Sequence, residues 1–447
     1  MMEISMESLI RKYDRPVPRY TSFPTAVQFT ESPTWSEHRS LITELNRSEP
    51  ASIYIHVPFC HSLCHYCGCH TKIVSRYEPV KEYISSLLEE ISIFRSTLCD
   101  RIPASRIHFG GGSPNFTEIE DLRKILEALR ETFSFSHETE IDMECDPRLL
   151  TEEKINALSK LDINRISLGV QDFDKNVQEA INRVQPYELV EKCVYQLRER
   201  GISHVNFDLM TGLPLQTLET LERTLDLTLS LCPDRIAIFS YAHVPWMKKH
   251  QLLLEKYPRP DLLTRFEMAE RASSYLQNND YIAIGFDHFA LKNDSLAIAQ
   301  ETGKLHRNFQ GYTDDGAKTL IGFGLSAISQ YENAYTQNTT DPTAYRQALK
   351  ERRLPSARSC HLKEEDKIRR SLIERIMCDF RVNLSDFPQI PVPCENLSPL
   401  LSDGLASFDD SRKVLLVTER GRPFVRLVAA CFDPYLEQVE NRHARAI

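Results

Sequence analysis

Between residues 52 and 239 one pattern occurs six times: a short apolar run rich in β-branched residues, followed by a longer stretch of helical period. The runs are Ser52-Ile53-Tyr54-Ile55-His56-Val57, Ile107-His108-Phe109, Ile141-Asp142-Met143-Glu144, Ile166-Ser167-Leu168-Gly169-Val170, Val205-Asn206-Phe207-Asp208-Leu209 and Ile236-Ala237-Ile238-Phe239. After a longer first gap they recur at roughly 25 to 40 residue intervals, the spacing of strands joined by helices. Val80, Tyr83, Ile84, Leu87, Leu88, Ile91 and Phe94 make one apolar helix face in the first gap. In the second gap Ile119, Leu122, Ile125, Leu126 and Leu129 make another, with Thr117 and Glu120 spaced as a capping box. Strands alternating with helices pair in parallel through right-handed crossovers, and the sheet curls into a barrel or an arc of one. The expected fold is α/β, a partial (β/α)6 barrel of TIM-like type, whose chemistry sits at the carboxyl ends of the strands.

Polar residues gather at those ends. Gly110-Gly111-Gly112-Ser113-Pro114 follows the second run, where residues without Cβ let the backbone approach a ligand and offer N–H groups to a carboxylate or phosphate. The third run ends in Glu144, with Asp146 and Pro147 beyond it; the fourth leads into Gln171 and Asp172, the fifth ends at Asp208, and the sixth leads into Tyr241, Ala242 and His243. The first opens into HVPFCHSLCHYCGCH, with Cys60, Cys64, Cys67 and Cys69 inside ten residues. Cys60, Cys64 and Cys67 form C-x3-C-x2-C, by which one loop can offer three thiolates to a 4Fe-4S cube and leave its fourth iron open. Zinc is the alternative, completed by Cys69 or by His56, His61, His65 or His70, although single-loop zinc sites usually draw on a second pair of ligands further along the chain.

The chain of 447 residues carries 54 Lys and Arg against 63 Asp and Glu, a net charge of -9, which argues against nucleic acid as a general partner. MMEISMESLI lacks the basic start and apolar core of a secretion signal, and no stretch approaches the ~18 apolar residues of a membrane span, so a cytoplasmic protein without membrane contact is expected. In that compartment the other eight cysteines are expected to be reduced and small buried residues. The expected organisation is an N-terminal segment over 1–50 packing on the barrel, the barrel with a substrate-facing extension over 51–336, and a linker and helical domain over 337–447. Residues 337–361 read as an aperiodic connection. Beyond it Ile368, Leu372, Ile373, Ile376 and Met377 form a helical stripe, Leu397–Leu405 a second helix, Lys413–Val417 a strand, and Thr418 caps a last helix through Phe432. That order resembles a winged helix, and its Arg420, Arg422 and Arg426 fit a lid or packing role better than DNA binding on so acidic a chain.

The cysteine spacing with Tyr66 before the third cysteine, followed by GGGSP, resembles the radical S-adenosylmethionine (SAM) enzymes. CHSLCHYCGCHTKIV, GVQDF at 169–173, NRVQ at 182–185, DLMTGLP at 208–214, YAHVP at 241–245, DHFA at 287–290 and HRNFQGYT at 306–313 narrow the resemblance to the family of oxygen-independent coproporphyrinogen III oxidases. It runs from RYTSFPTA at 19–26 to CFDPYL at 431–436. The resemblance implies that Cys60, Cys64 and Cys67 bind the cluster. It also implies that Tyr54, Tyr66, Gly111, Gly112, Ser113, Glu144, Gln171, Arg183, Asp208, Ala242 and Ile328 line the space for SAM, of which the family can hold two molecules. Glu144 and Asp208 suit the hydroxyls and ammonium of SAM as acceptors, and Arg183 its carboxylate. For Arg183, Ala242 and Ile328, helix capping or ordinary core remains open.

Cys69, Phe309 and Gln310 carry over as residues facing the reaction centre. The implied partners are coproporphyrinogen III and a low-potential electron donor such as flavodoxin or ferredoxin, for a protein that can act as a monomer. Arg15, Arg19, Lys72 and Arg307 are the candidates for the substrate carboxylates. The implied reaction, in haem biosynthesis, converts two propionates to vinyl groups through a 5'-deoxyadenosyl radical. A related haem-binding chaperone is the first alternative, though such relatives typically lack the fourth cysteine and the HRNFQGY segment. Another radical SAM reaction is the second, though DHFA and HRNFQGYT lie outside the common core.

Overall fold

The computed structural model describes residues 4–30 and 32–436. They fall into two compact units, each assembled from separate stretches of chain: residues 29–30 and 32–259 with 317–361, and residues 4–28 with 260–316 and 362–436.

The first unit holds the six repeats. Strands β1 (Ala51–Val57), β2 (Ile102–Gly111), β3 (Glu140–Cys145), β4 (Arg165–Gln171), β5 (His204–Thr211) and β6 (Arg235–Ser240) lie side by side in sequence order, every neighbouring pair parallel. Their side chains explain the order: Ile53, Ile55, Val57, Ile107, Phe109, Met143, Ile166, Leu168, Val205 and Phe207 are fully buried. At roughly 1.5–3 kcal/mol for each large apolar side chain, this burial is what holds the sheet. On the other edge of β1 runs a seventh parallel strand, β7 (Thr319–Phe323), with Ile53 opposite Ile321. Antiparallel strands Ile328–Gln330, Ala334–Asn338 and Ser356–His361 continue the sheet. The sequence pattern missed β7 because its apolar run is short and interrupted by Gly322. The stretch 337–361, expected as an aperiodic connection, instead completes one strand, forms the helix Pro342–Lys350 capped by Asp341, and adds another strand. The return of the chain to β1 through β7 is why the compact units do not follow the boundaries expected at 50 and 336.

Helix Glu78–Thr97 buries the face expected of it, including Val80, Ile84, Leu87, Ile91 and Phe94. Helix Ile119–Thr132 also buries its stripe, but the capping box at Thr117 and Glu120 does not form. Its cap residue is Glu118, whose N–H donates to the Tyr77 hydroxyl at 2.9 Å, while that hydroxyl donates to Asp121 at 2.7 Å. A neighbouring tyrosine thus does the work that the local motif would have done.

In the second unit helices Met6–Tyr13, Leu262–Gln277 and Glu364–Asp379 accompany a three-stranded antiparallel sheet of Arg381–Asn383, Val414–Val417 and Ala406–Asp409. Leu9, Tyr13, Phe23, Leu372, Ile376, Met377, Phe424 and Leu427 lie in its core. Thr418 caps a short 3-10 turn, Glu419–Phe424, and the α-helix is only Val425–Ala430, shorter than expected. Arg422 lies over the Phe380 ring and Arg426 is buried near Phe286, so these guanidiniums serve packing. Of the scattered cysteines, Cys145, Cys193, Cys378 and Cys431 are buried as expected, while Cys99, Cys232 and Cys394 are exposed. Among the described residues no helix is long and apolar enough to cross a membrane.

One buried carboxyl ties the first unit together. Glu90, in the helix after the cysteine loop, accepts from the Gly324 N–H at 2.8 Å, from Asn338 Nδ2 at 2.6 Å and from the Tyr345 hydroxyl. Burial pushes its pKa up to about 7, against those donors. A carboxyl whose pKa rises on folding contributes fully below its unfolded value and loses that contribution as pH rises through the folded one. We therefore expect the unfolding free energy of the wild type, relative to Glu90→Gln, to fall by at most about 1.4 kcal/mol per pH unit between pH 4.5 and 7 in denaturant titrations, where a flat difference would contradict the assignment.

Candidate active site

The cysteine loop is clasped on all sides by its own unit. At its base Phe59–Cys60 pairs in parallel with Lys72–Ile73, and the Val74 N–H donates to the Cys60 carbonyl at 3.1 Å. On one flank the His65 N–H reaches the Ile181 carbonyl at 2.9 Å and Asn182 Nδ2 the Leu63 carbonyl at 2.8 Å. On the other, Gln251 Nε2 donates to the Tyr66 carbonyl at 2.9 Å, His250 Nε2 to that of Cys67 at 2.8 Å and Lys248 Nζ to that of Cys69 at 2.7 Å. The Tyr66 ring packs against the buried group of Val177, Ile181, Met210 and Leu213.

Polar hydrogens surround the sulfur atoms. Ser113 Oγ lies 3.6 Å from Cys60 Sγ, and Arg183 Nη1 and Arg148 Nη2 lie 3.5 and 4.0 Å from Cys64 Sγ. The Cys69 thiol, donating to Cys67, draws the Cys67 pKa down to about 6 against its burial. Burial pushes the Cys60 thiol up to about 11, with Ser113 acting the other way. Among the described residues no three His, Cys, Asp or Glu side chains gather as the ligands of a single metal ion would. Three thiols of one loop, with O–H and guanidinium N–H groups directed at two of them, are a donor set that fits an iron-sulfur group, because such hydrogen bonds favour anionic sulfur.

The glycine run differs from expectation. Its N–H groups are engaged by the chain itself: Gly111 donates to Glu144 Oε2 at 3.1 Å, Gly112 to the Val57 carbonyl at 2.8 Å, and Ser113 to the Phe59 carbonyl at 2.8 Å. Side chains are excluded here by close packing. A Cβ on Gly111, whose φ is +115°, would lie 2.6 Å from the His56 ring, and one on Gly112 would lie 2.6 Å from the Phe59 carbonyl oxygen.

Beneath the loop is a set of titratable groups. Tyr54 Oη is 2.9 Å from His56 Nδ1, and its ring stacks on His108 with centroids 5.7 Å apart. His108 Nε2 donates to Glu144 Oε1 at 3.2 Å and Nδ1 pairs with Asp142. Burial opposes a charged imidazole, but Asp142 and then Glu144 outweigh it and carry the His108 pKa up to about 10. His108 in turn holds Glu144 below the usual carboxylate range despite its burial. Asp208 behaves oppositely: burial, and then the charge of Glu144, push it up to about 7. It lies in the interior of β5, which continues to Thr211, and not at the strand end expected from the sequence. Gln171 ends β4 in a left-handed conformation, φ +68°. Arg183 donates to the Gly169 carbonyl at 2.7 Å and to Asp146 at 3.3 Å, bonds to strand ends and to the cysteine loop in place of the helix cap left open by the sequence. Ala242 follows β6 and accepts from Gln251 Nε2 at 3.3 Å, and Ile328 starts the strand after β7.

Phe309 and Gln310 belong to the other unit, at the tip of the hairpin His306–Asn308 and Gly311–Thr313. There the Gln310 N–H donates to Asn308 Oδ1 at 2.9 Å. Of the basic candidates in that unit, Arg19 pairs with Asp287 at 2.5 Å and Arg307 lies over the Tyr312 ring, 4.3 Å from its centroid, while Arg15 is exposed. Lys72 is exposed in the strand that closes the cysteine loop. Sequence reasoning gave no role to His108, Asp142 or Arg148. For His108 and Asp142 the available signal was an ionisable residue inside an otherwise apolar strand, which requires a partner when buried; Arg148 lies in the turn after β3 and gave no such signal. In histidine-selective NMR we expect His108 to stay protonated at pH 8 and Asp142→Asn to bring its titration below that pH, because the paired carboxylate is what outweighs burial; a neutral His108 at pH 8 in the wild type would contradict this.

The radical SAM superfamily model matches residues 54–228. A curated anaerobic coproporphyrinogen III oxidase of Cereibacter sphaeroides is 39% identical over 452 residues, covering 100% of both chains. An oxygen-independent coproporphyrinogen III oxidase of Bradyrhizobium diazoefficiens is 41% identical over 439 residues, 96% of this chain and 97% of that one. Among solved structures, a coproporphyrinogen III oxidase from Escherichia coli described as a radical SAM enzyme superposes with a TM-score of 0.90 at 34% identity, covering 98% of this chain and 100% of that one. Full-length identity at this level, together with the superposed fold, places the chain in the radical SAM family of oxygen-independent coproporphyrinogen III oxidases.

Proposed function

We propose that the chain decarboxylates two propionate side chains of coproporphyrinogen III to vinyl groups without oxygen, giving protoporphyrinogen IX. The observation that carries this reading is the likeness, over the whole length of both chains, to relatives named for that substrate. Cys60, Cys64 and Cys67 hold a 4Fe-4S cluster, which when bound supplies the electron that cleaves SAM to methionine and a 5'-deoxyadenosyl radical. Tyr54, Tyr66, Gly111, Gly112, Ser113, Gln171, Ala242 and Ile328 line the SAM space, in which the family can hold two molecules.

Glu144, kept ionised by His108, answers the SAM ammonium, and Asp208, poised near neutrality, accepts from a ribose hydroxyl. Arg183 serves the SAM carboxylate while it secures Cys64. Cys69, Phe309 and Gln310 act on the substrate side. The 5'-deoxyadenosyl radical takes hydrogen from the β-carbon of a propionate and becomes 5'-deoxyadenosine; the bond from the α-carbon to the carboxylate then breaks to release CO2, one electron passes to an external acceptor, and the vinyl group is left. The chain contributes position and exclusion of water, since a primary carbon radical attacks whatever lies nearest. A cytoplasmic monomer served by a low-potential electron donor completes the reading, with Arg15, Arg19, Lys72 and Arg307 as the candidates for the substrate carboxylates.

The test is an anaerobic assay with coproporphyrinogen III, SAM and dithionite, followed by chromatography of the tetrapyrroles. Protoporphyrinogen IX, methionine and 5'-deoxyadenosine are expected. Cys60→Ser, Cys64→Ser and Cys67→Ser should each abolish the paramagnetic signal of the reduced cluster and SAM cleavage. Cys69→Ser, Phe309→Ala and Gln310→Ala should keep iron and signal but lose tetrapyrrole turnover by at least about 10²-fold, the scale on which misplacement of reacting groups acts. Haem binding without decarboxylation would point to the chaperone, and loss of iron in Cys69→Ser would make that residue a ligand.

A further inference from the structure

We propose that the segment Val244–Tyr257 is the docking surface for a small acidic electron-carrier protein. This rests on the cluster reading above and adds to it where the electron enters. The inner side of the segment is committed to the cysteine loop: Lys248, His250 and Gln251 donate to the carbonyls of Cys69, Cys67 and Tyr66 at 2.7, 2.8 and 2.9 Å. Leu254 is fully buried in the same apolar group that receives Tyr66. The outer side is unlike the rest of the surface. Trp246 is 72% exposed, Met247 67%, Leu252 52% and Leu253 49%. Isolated exposed apolar residues are ordinary, but these four large ones fall within eight consecutive residues.

Charge selects the occupant. Residues 244–257 carry the exposed Lys249 and Lys256 and the half-buried Lys248 against Glu255 alone, on a chain whose net charge is -9. Lys72 and the half-exposed Ile73 extend the same character along the strand that closes the loop. Exposed tryptophan and methionine together with exposed basic side chains suit a protein interface, and the sign of the charge steers an acidic partner. Electron transfer needs close approach to the redox group, and side chains of this segment touch the backbone of the cysteine loop at Tyr66, Cys67 and Cys69. The carrier, of the flavodoxin type, gives one electron per SAM cleaved: its flavin hydroquinone is oxidised to the semiquinone and the cluster is reduced by one electron.

The experiment uses the reconstituted holoenzyme, purified flavodoxin, and the variants Trp246→Ala and Lys249→Glu. Neither side chain bonds the cysteine loop. Binding of oxidised flavodoxin, measured by calorimetry without turnover, should weaken roughly tenfold or more in each variant, as expected for an interface anchor and a reversed charge. Wild-type binding should weaken with added salt. SAM cleavage driven by reduced flavodoxin at limiting concentration should fall in parallel, whereas cleavage driven by dithionite should equal that of wild type. Unchanged flavodoxin affinity in both variants, or no binding to the wild type, would overturn the proposal. So would a wild-type dimer that Trp246→Ala dissolves, or sedimentation with anionic vesicles that Lys249→Glu abolishes, since either would give the surface to another occupant. Absence of dithionite-driven cleavage in the wild type would instead fail the cluster reading itself.

Discussion

The pairing of β1 between two parallel neighbours is the constraint from which the candidate site follows. Val57 stands opposite Gly111, so the cysteine loop and the glycine run leave the sheet side by side. The ladder then continues past the strands, through the Gly112 N–H on Val57 and the Ser113 N–H on Phe59. That continuation brings Ser113 to Cys60 and leaves no room for a side chain at Gly111 or Gly112. A one-residue slip would reverse the faces of β1 and exchange Ile53, Ile55 and Val57, each fully buried now, with the polar Ser52, Tyr54 and His56. Geometry around the thiols is therefore fixed by the apolar burial that fixes the register.

Electrostatics divides the carboxyls at the strand ends and interiors into two kinds. Glu144, half-buried, and Asp146, buried, are both held ionised, the first by His108 and the second by Arg148 and Arg183. Among the described residues Asp208 has no ion-pairing cation, and burial with the nearby charge of Glu144 raises its pKa toward neutral pH. A site that must receive a molecule carrying an ammonium, a carboxylate and hydroxyls benefits from acceptors of different strength already in place, because buried charges without partners cost far more than they return. His108 is the hinge of this arrangement. It stacks on Tyr54, pairs with Asp142 on the next strand and fixes one oxygen of Glu144, while Gly111 fixes the other.

Much of this was legible in the chain. The six repeats gave the parallel order because alternating strand and helix periods admit few topologies, and the end of the first apolar run placed the cysteine loop at the end of β1. What escaped was non-local. Strand β7 comes more than two hundred residues after β1 and announces itself weakly, with Gly322 in the middle of a short run. The capping of helix Ile119–Thr132 by Tyr77 depends on a residue some forty positions earlier. The glycine N–H groups pointed to a ligand from sequence, and only the register with β1 shows that the chain uses them itself. Asp208 was taken for a strand end because the apolar run breaks there, whereas hydrogen bonding carries the strand three residues further.

The central claim is that a carbon radical formed at this site takes hydrogen from a propionate side chain. Coproporphyrinogen III carrying deuterium at the propionate β-carbons tests it most directly, with mass spectrometry of the nucleoside after anaerobic turnover. Deuterium recovered in 5'-deoxyadenosine, in step with the vinyl groups formed, is the predicted result. Vinyl products accompanied by unlabelled 5'-deoxyadenosine would contradict the account.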